Sequence, residues 1–283
     1  EAAFIEGDIL NPDSLSAVMA AGFDALIHLA AFKAAGESML KPEKYSINNI
    51  NGTLNLLNTA CAAGIKRIVF SSSAATYGEP EYLPIDEKHP TRPANYYGFT
   101  KLEIERFLAW YDELKGLRFA ALRYFNAAGY DKAGRISGLE KNPANLLPVI
   151  MESACGMRER IQVYGDDYDT HDGTGVRDYV HVSDLARGHL SALEWIDRND
   201  RSLTLNLGSG SGLSVLDLVK VARRITGKEI AVDIVERRPG DPAKLYASCD
   251  LAKEILGWEA KESDADSLIA TSWAAYKHAL KLD

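Results

Sequence analysis

Long apolar segments are missing from this 283-residue chain. No stretch of about 18 consecutive apolar residues occurs, as a membrane-spanning helix would require. The first residues, EAAFIEGDIL, lack the basic segment followed by an apolar stretch that marks a secretory signal. Cysteine is scarce, since there are three, Cys61, Cys155 and Cys249, with no close pair. The sequence therefore predicts reduced thiols and a cytoplasmic protein.

Basic charge is in deficit, because 32 Lys and Arg face 40 Asp and Glu, a formal net charge of −8. This balance disfavours general binding to nucleic acid or to an anionic membrane. A small phosphorylated substrate stays compatible with it, since a few local arginines can hold one. The six histidines show no metal-ligand spacing with cysteines or carboxylates, so no metal site is expected.

Short apolar segments alternate with longer amphipathic ones in the first half of the chain. Residues 24–31, 67–71 and 118–125 predict buried strands, and residues 42–63 and 96–115 predict helices. This alternation is typical of an α/β fold with a doubly wound parallel sheet of the Rossmann type. The pattern loosens after about residue 130, which predicts a smaller C-terminal region over 131–283. Within it, residues 177–194 could return to the main domain.

Tyr97 and Lys101 form a Tyr-x-x-x-Lys motif near the start of the second predicted helix. Residues four apart lie on one helix face, so the Lys101 ammonium can approach the Tyr97 phenol. A nearby cation favours the phenolate, and we expect it to lower the pKa of the phenol. Such a phenol can take a proton from a substrate hydroxyl. The same spacing at Tyr111 and Lys115, at the far end of the helix, indicates a core tyrosine and a lysine that complements the helix dipole.

Three consecutive serines, Ser71, Ser72 and Ser73, follow the strand that ends near Phe70. They lie at the carboxyl edge of the predicted sheet, where folds of this class bind their ligands. A serine there can hydrogen-bond a substrate hydroxyl and relay its proton to a phenolate. Three serines in a row could also merely turn and cap the chain. Their combination with the Tyr-x-x-x-Lys motif favours proton transfer at a hydroxyl.

Further motifs resemble those of the UDP-glucose (UDP-galactose) 4-epimerases, in the extended short-chain dehydrogenase/reductase superfamily. They run through nearly the whole chain: HLAAFKAAGES at 28–38, NNINGT at 48–53, SSS at 71–73, YGFTK at 97–101, RYFN at 123–126, GTGVRDY at 173–179 and RPGD at 238–241. The resemblance implies an isomerase of galactose metabolism with tightly bound NAD. Hydride would leave C4 of the sugar, a 4-keto sugar would form, and hydride would return to the other face.

The resemblance implies a role for each matching residue. Tyr97 would be the catalytic base, Lys101 its activator and a ligand of the nicotinamide ribose, and Ser73 the partner of the sugar hydroxyl. NAD would be contacted by Asp8, Ile9, Lys33, Asn48, Tyr97, Lys101 and Phe125. The UDP-sugar would be held by Ser73, Asn126, Asn145, Leu146, Tyr164, Arg177, Arg238 and Asp241. Residues 1–130 would then bind NAD, residues 131–283 would mainly bind substrate, and helices 42–63 and 96–115 would form a homodimer.

One expected feature of the resemblance is absent from the sequence. The fingerprint Gly-x-x-Gly-x-x-Gly that follows the first strand of such folds does not occur near the N-terminus. We expect a strand to end near Asp8 and hypothesise that a further strand–helix–strand unit precedes Glu1. The glycines Gly208, Gly210 and Gly212 imitate the fingerprint, but Leu213 breaks the spacing. This loop therefore predicts a tight turn into a helix capped by Ser214.

Three alternatives bear on the functional hypothesis. A nucleotide-sugar 4,6-dehydratase would need an acid and a base beside the serine, where Ala74 and Ala75 stand. A UDP-N-acetylhexosamine or UDP-pentose 4-epimerase stays open, because Leu245 aligns with the position that limits pocket size in the family. A non-catalytic sensor that binds a dinucleotide is the alternative from another class, and the intact Ser73 and Tyr97 weigh against it.

Overall fold

The computed structural model describes residues 2–136, 138–238 and 241–282. The chain divides into two compact units. Unit 1 consists of Glu1–Glu81, Glu87–Tyr124 and His189–Asn206, and unit 2 of Tyr82–Asp86, Phe125–Gly188 and Leu207–Asp283. The assignment of NAD binding to residues 1–130 and of substrate binding mainly to residues 131–283 stays a prediction.

The helices and strands follow one another in this order along the chain. They are α1 (Pro12–Met19), β1 (Ala25–His28), α2 (Ala35–Leu40), α3 (Pro42–Tyr45), a π-helical segment (Ser46–Asn51), α4 (Gly52–Ala62), β2 (Arg67–Ser73), a 3₁₀ turn (Ala74–Thr76), α5 (Tyr96–Lys115), β3 (Arg118–Tyr124), β4 (Asn126–Ala128), α6 (Leu146–Ala154), β5 (Arg160–Tyr164), β6 (Val176–Arg177), β7 (Tyr179–His181), α7 (Val182–Asn199), β8 (Leu203–Leu207), β9 (Leu213–Ser214), α8 (Val215–Thr226), β10 (Ala231–Val235), β11 (Lys244–Leu245), α9 (Asp250–Leu256) and α10 (Ala265–Leu280).

The main sheet has the strand order β1-β2-β3-β8, and the β1–β2 and β2–β3 pairs are parallel. The predicted α/β fold with a parallel sheet is therefore confirmed. Leu57, Phe70 and Leu108 are fully or almost fully buried in the core that joins α4, β2 and α5. Burial of these side chains between the helices and the sheet stabilises the parallel arrangement.

Helix α5 has the bounds that the sequence predicts, because both of its ends carry strong signals. The Asn95 side chain accepts a hydrogen bond of 2.9 Å from the Gly98 N–H, which satisfies a donor that the helix itself leaves open. Gly116 ends the helix with φ of 64°, a left-handed conformation that glycine adopts without strain. The start of this helix, and hence Tyr97, is fixed locally.

Two predicted elements differ in the structure. The helix expected over residues 42–63 is interrupted by the π-helical segment Ser46–Asn51, a wider turn that periodicity alone does not reveal. The strand expected to end near Asp8 is wrong, since residues 2–7 are exposed and have no regular structure. Within the described residues no strand pairs with this segment. An extended conformation would therefore bring its backbone no inter-strand hydrogen bonds.

Unit 2 contains three small sheets, namely β10-β5, β11-β6-β9 and β4-β7. Its core is formed by Ile150, Met151, Leu218 and Leu268, which are all fully buried. None of the helices in the described residues has the length and apolar character that a bilayer crossing requires.

Candidate active site

The three serines at the end of β2 have three different partners. The Ser71 hydroxyl is hydrogen-bonded to the Tyr124 hydroxyl, and the Ser72 hydroxyl donates to the Glu105 carboxylate. Ser73 is half-buried; its oxygen accepts the Ala75 N–H at 3.2 Å, and its hydroxyl lies close enough to Tyr97 to lower the pKa of the phenol. Of the three, Ser73 is therefore the one that contacts the predicted base.

A close backbone approach brings Tyr97 to Ser73. A Cβ atom added to Gly98 would lie 2.3 Å from the Ala75 carbonyl oxygen, so only glycine lets α5 start this near the chain after β2. The Tyr97 N–H also donates to the hydroxyl of the buried Ser38 at 3.0 Å. Gly98 of the motif is therefore required by the close approach to Ala75, a requirement that the Tyr-x-x-x-Lys spacing does not include.

Lys101 lies on the same helix face, one turn after Tyr97, and is only 3% exposed. Its Nζ donates a hydrogen bond of 2.7 Å to the Ser71 carbonyl oxygen. The same atom lies 4.7 Å from the ring centre of Phe70 and 5.8 Å from that of Tyr97. The predicted trio of Ser73, Tyr97 and Lys101 is therefore assembled at the carboxyl end of β2.

Burial shifts the pKa values of both Tyr97 and Lys101. Burial raises the pKa of Tyr97 to about 12, against the hydrogen bond from Ser73, which lowers it. Burial also lowers the pKa of Lys101 to about 7. The expectation that Lys101 lowers the pKa of Tyr97 is wrong for this structure, because burial disfavours the charged form of both groups.

A buried asparagine that sequence reasoning did not single out orders the neighbouring loop. Asn49 accepts the Phe32 N–H at 2.9 Å and donates to the Phe32 carbonyl at 3.0 Å. Its amide also donates to Thr100 at 3.3 Å, and the Thr100 hydroxyl donates to the Tyr97 carbonyl at 2.7 Å. This network joins the loop after β1 to the first turn of α5.

The residues predicted to contact NAD differ in their exposure and lie on different elements of the chain. Lys33 is exposed just after Phe32, and Asn48 is half-buried in the π-helical segment. π-Helical turns are frequent at functional sites. Asp8 is exposed and accepts the Leu10 N–H at 2.8 Å, while the half-buried Ile9 approaches Gly52 of α4. Phe125 is half-buried directly after β3.

Unit 2 contains a cleft of about 610 Å³. Among its lining residues are five that were predicted to bind substrate: Leu146, Tyr164, Arg177, Arg238 and Asp241. The Arg238 guanidinium lies 3.7 Å over the Tyr164 ring centre, and Arg177 forms an ion pair of 2.5 Å with Asp241. Arginine forks and a flat aromatic ring suit a diphosphate and a planar base.

Two further arginines of this cleft were missed. Arg158 and Arg160 line it as well, and each is paired with a carboxylate, of Glu152 and Asp233 respectively. Their positions before and at the start of β5 belong to no motif, so no sequence pattern indicated them.

The two predicted asparagines flank this unit's strands and helices. Asn126 is half-buried and donates to the Asp178 carbonyl at 2.8 Å. Asn145 is exposed at the N-cap of α6, and its side chain makes no capping hydrogen bond there. Its amide is therefore not used by the helix.

The glycine loop at 208–212 binds one of the protein's own carboxylates. The buried Asp178 accepts both the N–H and the hydroxyl of Ser209 at 2.7 Å, and the Ala247 N–H at 3.1 Å. Ser214 caps α8 with a capping box. The predicted turn into a helix capped by Ser214 is confirmed.

One cluster of potential metal ligands occurs among the described residues. The ligand atoms of His171, Asp172 and Asp217 lie within 4.8 Å of one another. Sequence spacing did not reveal it, since Asp217 is distant along the chain. Asp172 accepts hydrogen bonds from Thr174 and Ser214, and Asp217 closes the cap of α8, so both carboxylates serve the local structure.

Comparison with known proteins places this geometry in a family. Residues 1–208 match the model of the NAD dependent epimerase/dehydratase family. The chain is 46% identical to a UDP-glucose 4-epimerase of Lacticaseibacillus casei over 273 residues, which covers 96% of this chain and 82% of that protein.

Two solved structures are similar over their whole matched length. A UDP-glucose 4-epimerase from Brucella ovis in complex with NAD has a TM-score of 0.95 at 43% identity, covering 97% of this chain and 85% of that one. A UDP-glucose 4-epimerase from Stenotrophomonas maltophila with bound NAD and formylated UDP-arabinopyranose has a TM-score of 0.95 at 40% identity, covering 99% and 84%.

Proposed function

Since this chain belongs to the NAD dependent epimerase/dehydratase family, we propose that it is an isomerase that interconverts UDP-glucose and UDP-galactose with tightly bound NAD. The observation that carries the proposal is the placement of Tyr97 beside Ser73 at the carboxyl end of β2, where Ser73 acts on the pKa of the phenol, with the Lys101 Nζ 5.8 Å from the centre of the Tyr97 ring. This is the arrangement that proton removal from a sugar hydroxyl requires.

The trio would move the proton of the sugar O4. Tyr97 takes this proton as the base, and Ser73, bonded to Tyr97, bonds the same hydroxyl and aligns it. Lys101 supplies a positive charge that stabilises the phenolate when the amine is protonated. NAD, when bound, accepts the hydride from C4 of the sugar and returns it to the other face.

The residues near the trio fit the nicotinamide end of the cofactor. Asn49 fixes both backbone groups of Phe32, which sets the direction of the chain at Lys33. Lys33, Asn48, Tyr97 and Lys101 would hold the ribose and nicotinamide, and Asp8, Ile9 and Phe125 would contribute further contacts. Hydrogen bonds that fix the supporting backbone favour a preorganised site.

The cleft of unit 2 would hold the UDP part of the substrate. Arg177 and Arg238 would bind the diphosphate, and Tyr164 and Asp241 the nucleoside. Asn126, Asn145 and Leu146 would complete the site. Because the contacts would hold the nucleotide, the hexose would stay free to rotate in the site. This rotation is needed if hydride is to return to the opposite face of the sugar.

Turnover of UDP-galactose by the purified protein with NAD tests the proposal. Tyr97→Phe should lower kcat by about 10²- to 10⁴-fold, because it removes the acid–base group. Tyr111→Phe is the matched control, since Tyr111 has the same spacing to a lysine but donates to Asn58 at 2.6 Å. Equal turnover in wild type and Tyr97→Phe would refute the catalytic assignment. NAD binding without any turnover in the wild type would favour the sensor alternative.

The breadth of substrate use forms a second proposal. Leu245 is half-buried and pairs with Arg177 between β11 and β6, so it stands next to a residue of the cleft. A leucine there would leave room for N-acetylated or pentose nucleotides. A panel of UDP-glucose, UDP-N-acetylglucosamine and UDP-xylose, with Leu245→Tyr as the comparison, tests it. We expect the wild type, but not Leu245→Tyr, to turn over UDP-N-acetylglucosamine. Absence of this turnover in the wild type would refute the proposal of broad substrate use.

Self-association forms a third proposal, namely a homodimer through the helices of residues 42–63 and 96–115. Ile47, Phe99, Trp110 and Leu114 are exposed on these helices, Trp110 by 58% and Leu114 by 67%. Apolar surface of this kind is typical of a protein–protein interface. Light scattering should give a dimer for the wild type and a monomer for Trp110→Glu combined with Leu114→Glu.

We also propose that the protein works in the cytoplasm. All three cysteines are free thiols, which suits a reducing compartment. Cell fractionation with detection of the native protein tests this assignment.

A further inference from the structure

Helix α5 carries a third polar residue on the face that bears Tyr97 and Lys101. Glu105 follows Lys101 by one further turn, and side chains four apart on a helix lie one above the other. Each of these three side chains contacts one serine of β2. Tyr97 lies beside the Ser73 hydroxyl, which lowers the pKa of its phenol, Lys101 donates to the Ser71 carbonyl, and Glu105 accepts the Ser72 hydroxyl.

Arg123 of β3 completes the contact of Glu105. Its Nε donates to Glu105 at 2.9 Å and its Nη2 at 2.5 Å, a two-point pairing of planar groups. Both residues are 7% exposed. The Arg123 guanidinium also lies 4.9 Å from the ring centre of Tyr77. Glu105 therefore joins α5, β2 and β3 directly behind the trio.

We propose that Glu105, held by Arg123, is a positioning residue for the trio: it fixes Ser72, and with it the direction of Ser73, and it supports the positive charge of Lys101. This inference rests on the proposed function, because the trio's role comes from there. Glu105 touches neither the phenol nor its serine, so it acts through its neighbours. An ion pair with a purely structural role would leave the pKa of Lys101 and the pH dependence of kcat unchanged.

The surroundings of Lys101 make Glu105 the relevant charge. The Glu105 carboxylate raises the pKa of Lys101, against burial, which lowers it. Within residues 2–136, 138–238 and 241–282, the other ionisable groups that interact with Tyr97 or Lys101 are His28 on β1, Tyr45 on α3 and Tyr124 on β3. Burial lowers the pKa of His28 to about 4, so this ring is neutral near pH 7 and adds no charge. Arg123 is positive as well, but of the two paired groups Glu105 is the one that acts on the pKa of Lys101.

The experiment compares the titration of Lys101 with the pH dependence of kcat. Lysine labelled with ¹³C at Cε gives an NMR titration, in which the resonance lost in Lys101→Met identifies Lys101. Glu105→Gln should lower the pKa of Lys101 by about 1 unit, and the basic limb of the kcat profile should move by the same amount. KM for UDP-galactose should change little. Glu105→Asp, which keeps the charge, should restore most of the wild-type titration.

Asp112→Asn is the matched control, because Asp112 and Arg118 also pair α5 with β3, but at the opposite end of the helix. It should leave both titrations unchanged. If Glu105→Gln does not fold, the double variant Glu105→Gln with Arg123→Met removes the pair without leaving an unpaired buried charge. The double variant should still lower kcat, and by a larger factor than the factor by which KM changes.

Three results would overturn the inference. They are an unchanged Lys101 titration in Glu105→Gln, an equal change in Asp112→Asn, or an unchanged kcat in the double variant. Absence of turnover in the wild type is a different outcome, since it refutes the proposed function. The NMR comparison then still decides whether Glu105 controls the charge of Lys101.

Discussion

The two units hold their candidate functional residues in opposite ways. In unit 1, Ser73, Tyr97 and Lys101 project from the ends of one strand and one long helix, and each is bonded to neighbouring backbone or side chains. In unit 2, arginines project into an open cleft from short strands and the segments beside them. Regular elements give precise geometry, whereas long cationic side chains give adaptable recognition. We therefore expect changes in unit 1 to alter kcat and changes in the cleft to alter KM.

Among changes that leave the trio itself intact, the largest effect on kcat is expected for Gly98→Ala. The new Cβ would lie 2.3 Å from the Ala75 carbonyl oxygen, so the first turn of α5 must move away from the chain after β2. A displacement of about 1 Å in a catalytic group lowers the rate on the order of 100-fold. Measurement of kcat and KM for UDP-galactose should show the loss in kcat.

Gly138→Ala is the control for this change, because a Cβ at Gly138 meets no atom within 4 Å. The control should keep wild-type kinetics. If Gly98→Ala keeps the wild-type kcat, the close approach of α5 to the chain after β2 does not set the position of Tyr97. The statement that regular elements fix the catalytic geometry of unit 1 would then be wrong.

The second effect is expected for Arg238→Met in the cleft. Loss of one charge-assisted contact to a diphosphate costs about 1.5 kcal/mol, which corresponds to roughly a 10-fold higher KM. The kcat should stay near that of the wild type, because the trio is untouched. Arg237→Met provides the comparison, since Arg237 pairs with Asp167 at 2.6 Å and does not line the cleft. A fall in kcat for Arg238→Met at unchanged KM would contradict the proposed division of roles.

The same contrast explains how far the sequence alone predicted the site. Ser73, Tyr97 and Lys101 were found because helical spacing and the ends of predicted elements place them. Asn49 and Glu105 were not singled out, since their importance comes from tertiary partners, Phe32 and Arg123, that no spacing rule connects. The bounds of α5 were predicted because its caps are local.

Electrostatics and loops account for the remaining misses. The shift in the pKa of Tyr97 was predicted with the wrong sign, because the depth of burial is a property of the folded chain and not of the motif. Arg158 and Arg160 were missed because a cleft gathers side chains from separate segments. The strand expected near Asp8 failed because strand formation depends on a pairing partner as well as on local sequence.

A further effect is expected in the pH dependence of the free energy of unfolding, and it tests the burial of Lys101. Burial lowers the pKa of this amine from 10.5 in the unfolded chain to about 7 in the folded protein. Below pH 7 the amine is charged in both states, and the folded state bears the full desolvation penalty. As the pH rises from about 7 to 10.5 the folded protein releases its proton first, so this penalty diminishes and the free energy of unfolding rises.

Lys101→Met removes the titrating group, so the stability that it adds relative to the wild type should be greatest below pH 7 and should decline at higher pH. Denaturant unfolding at several pH values measures this difference. Lys115→Met, at the exposed end of the same helix, supplies the reference for the loss of a lysine. A difference between wild type and Lys101→Met that does not change with pH would mean that the amine is hydrated. The contrast between a buried trio and an open cleft would then lose its electrostatic basis.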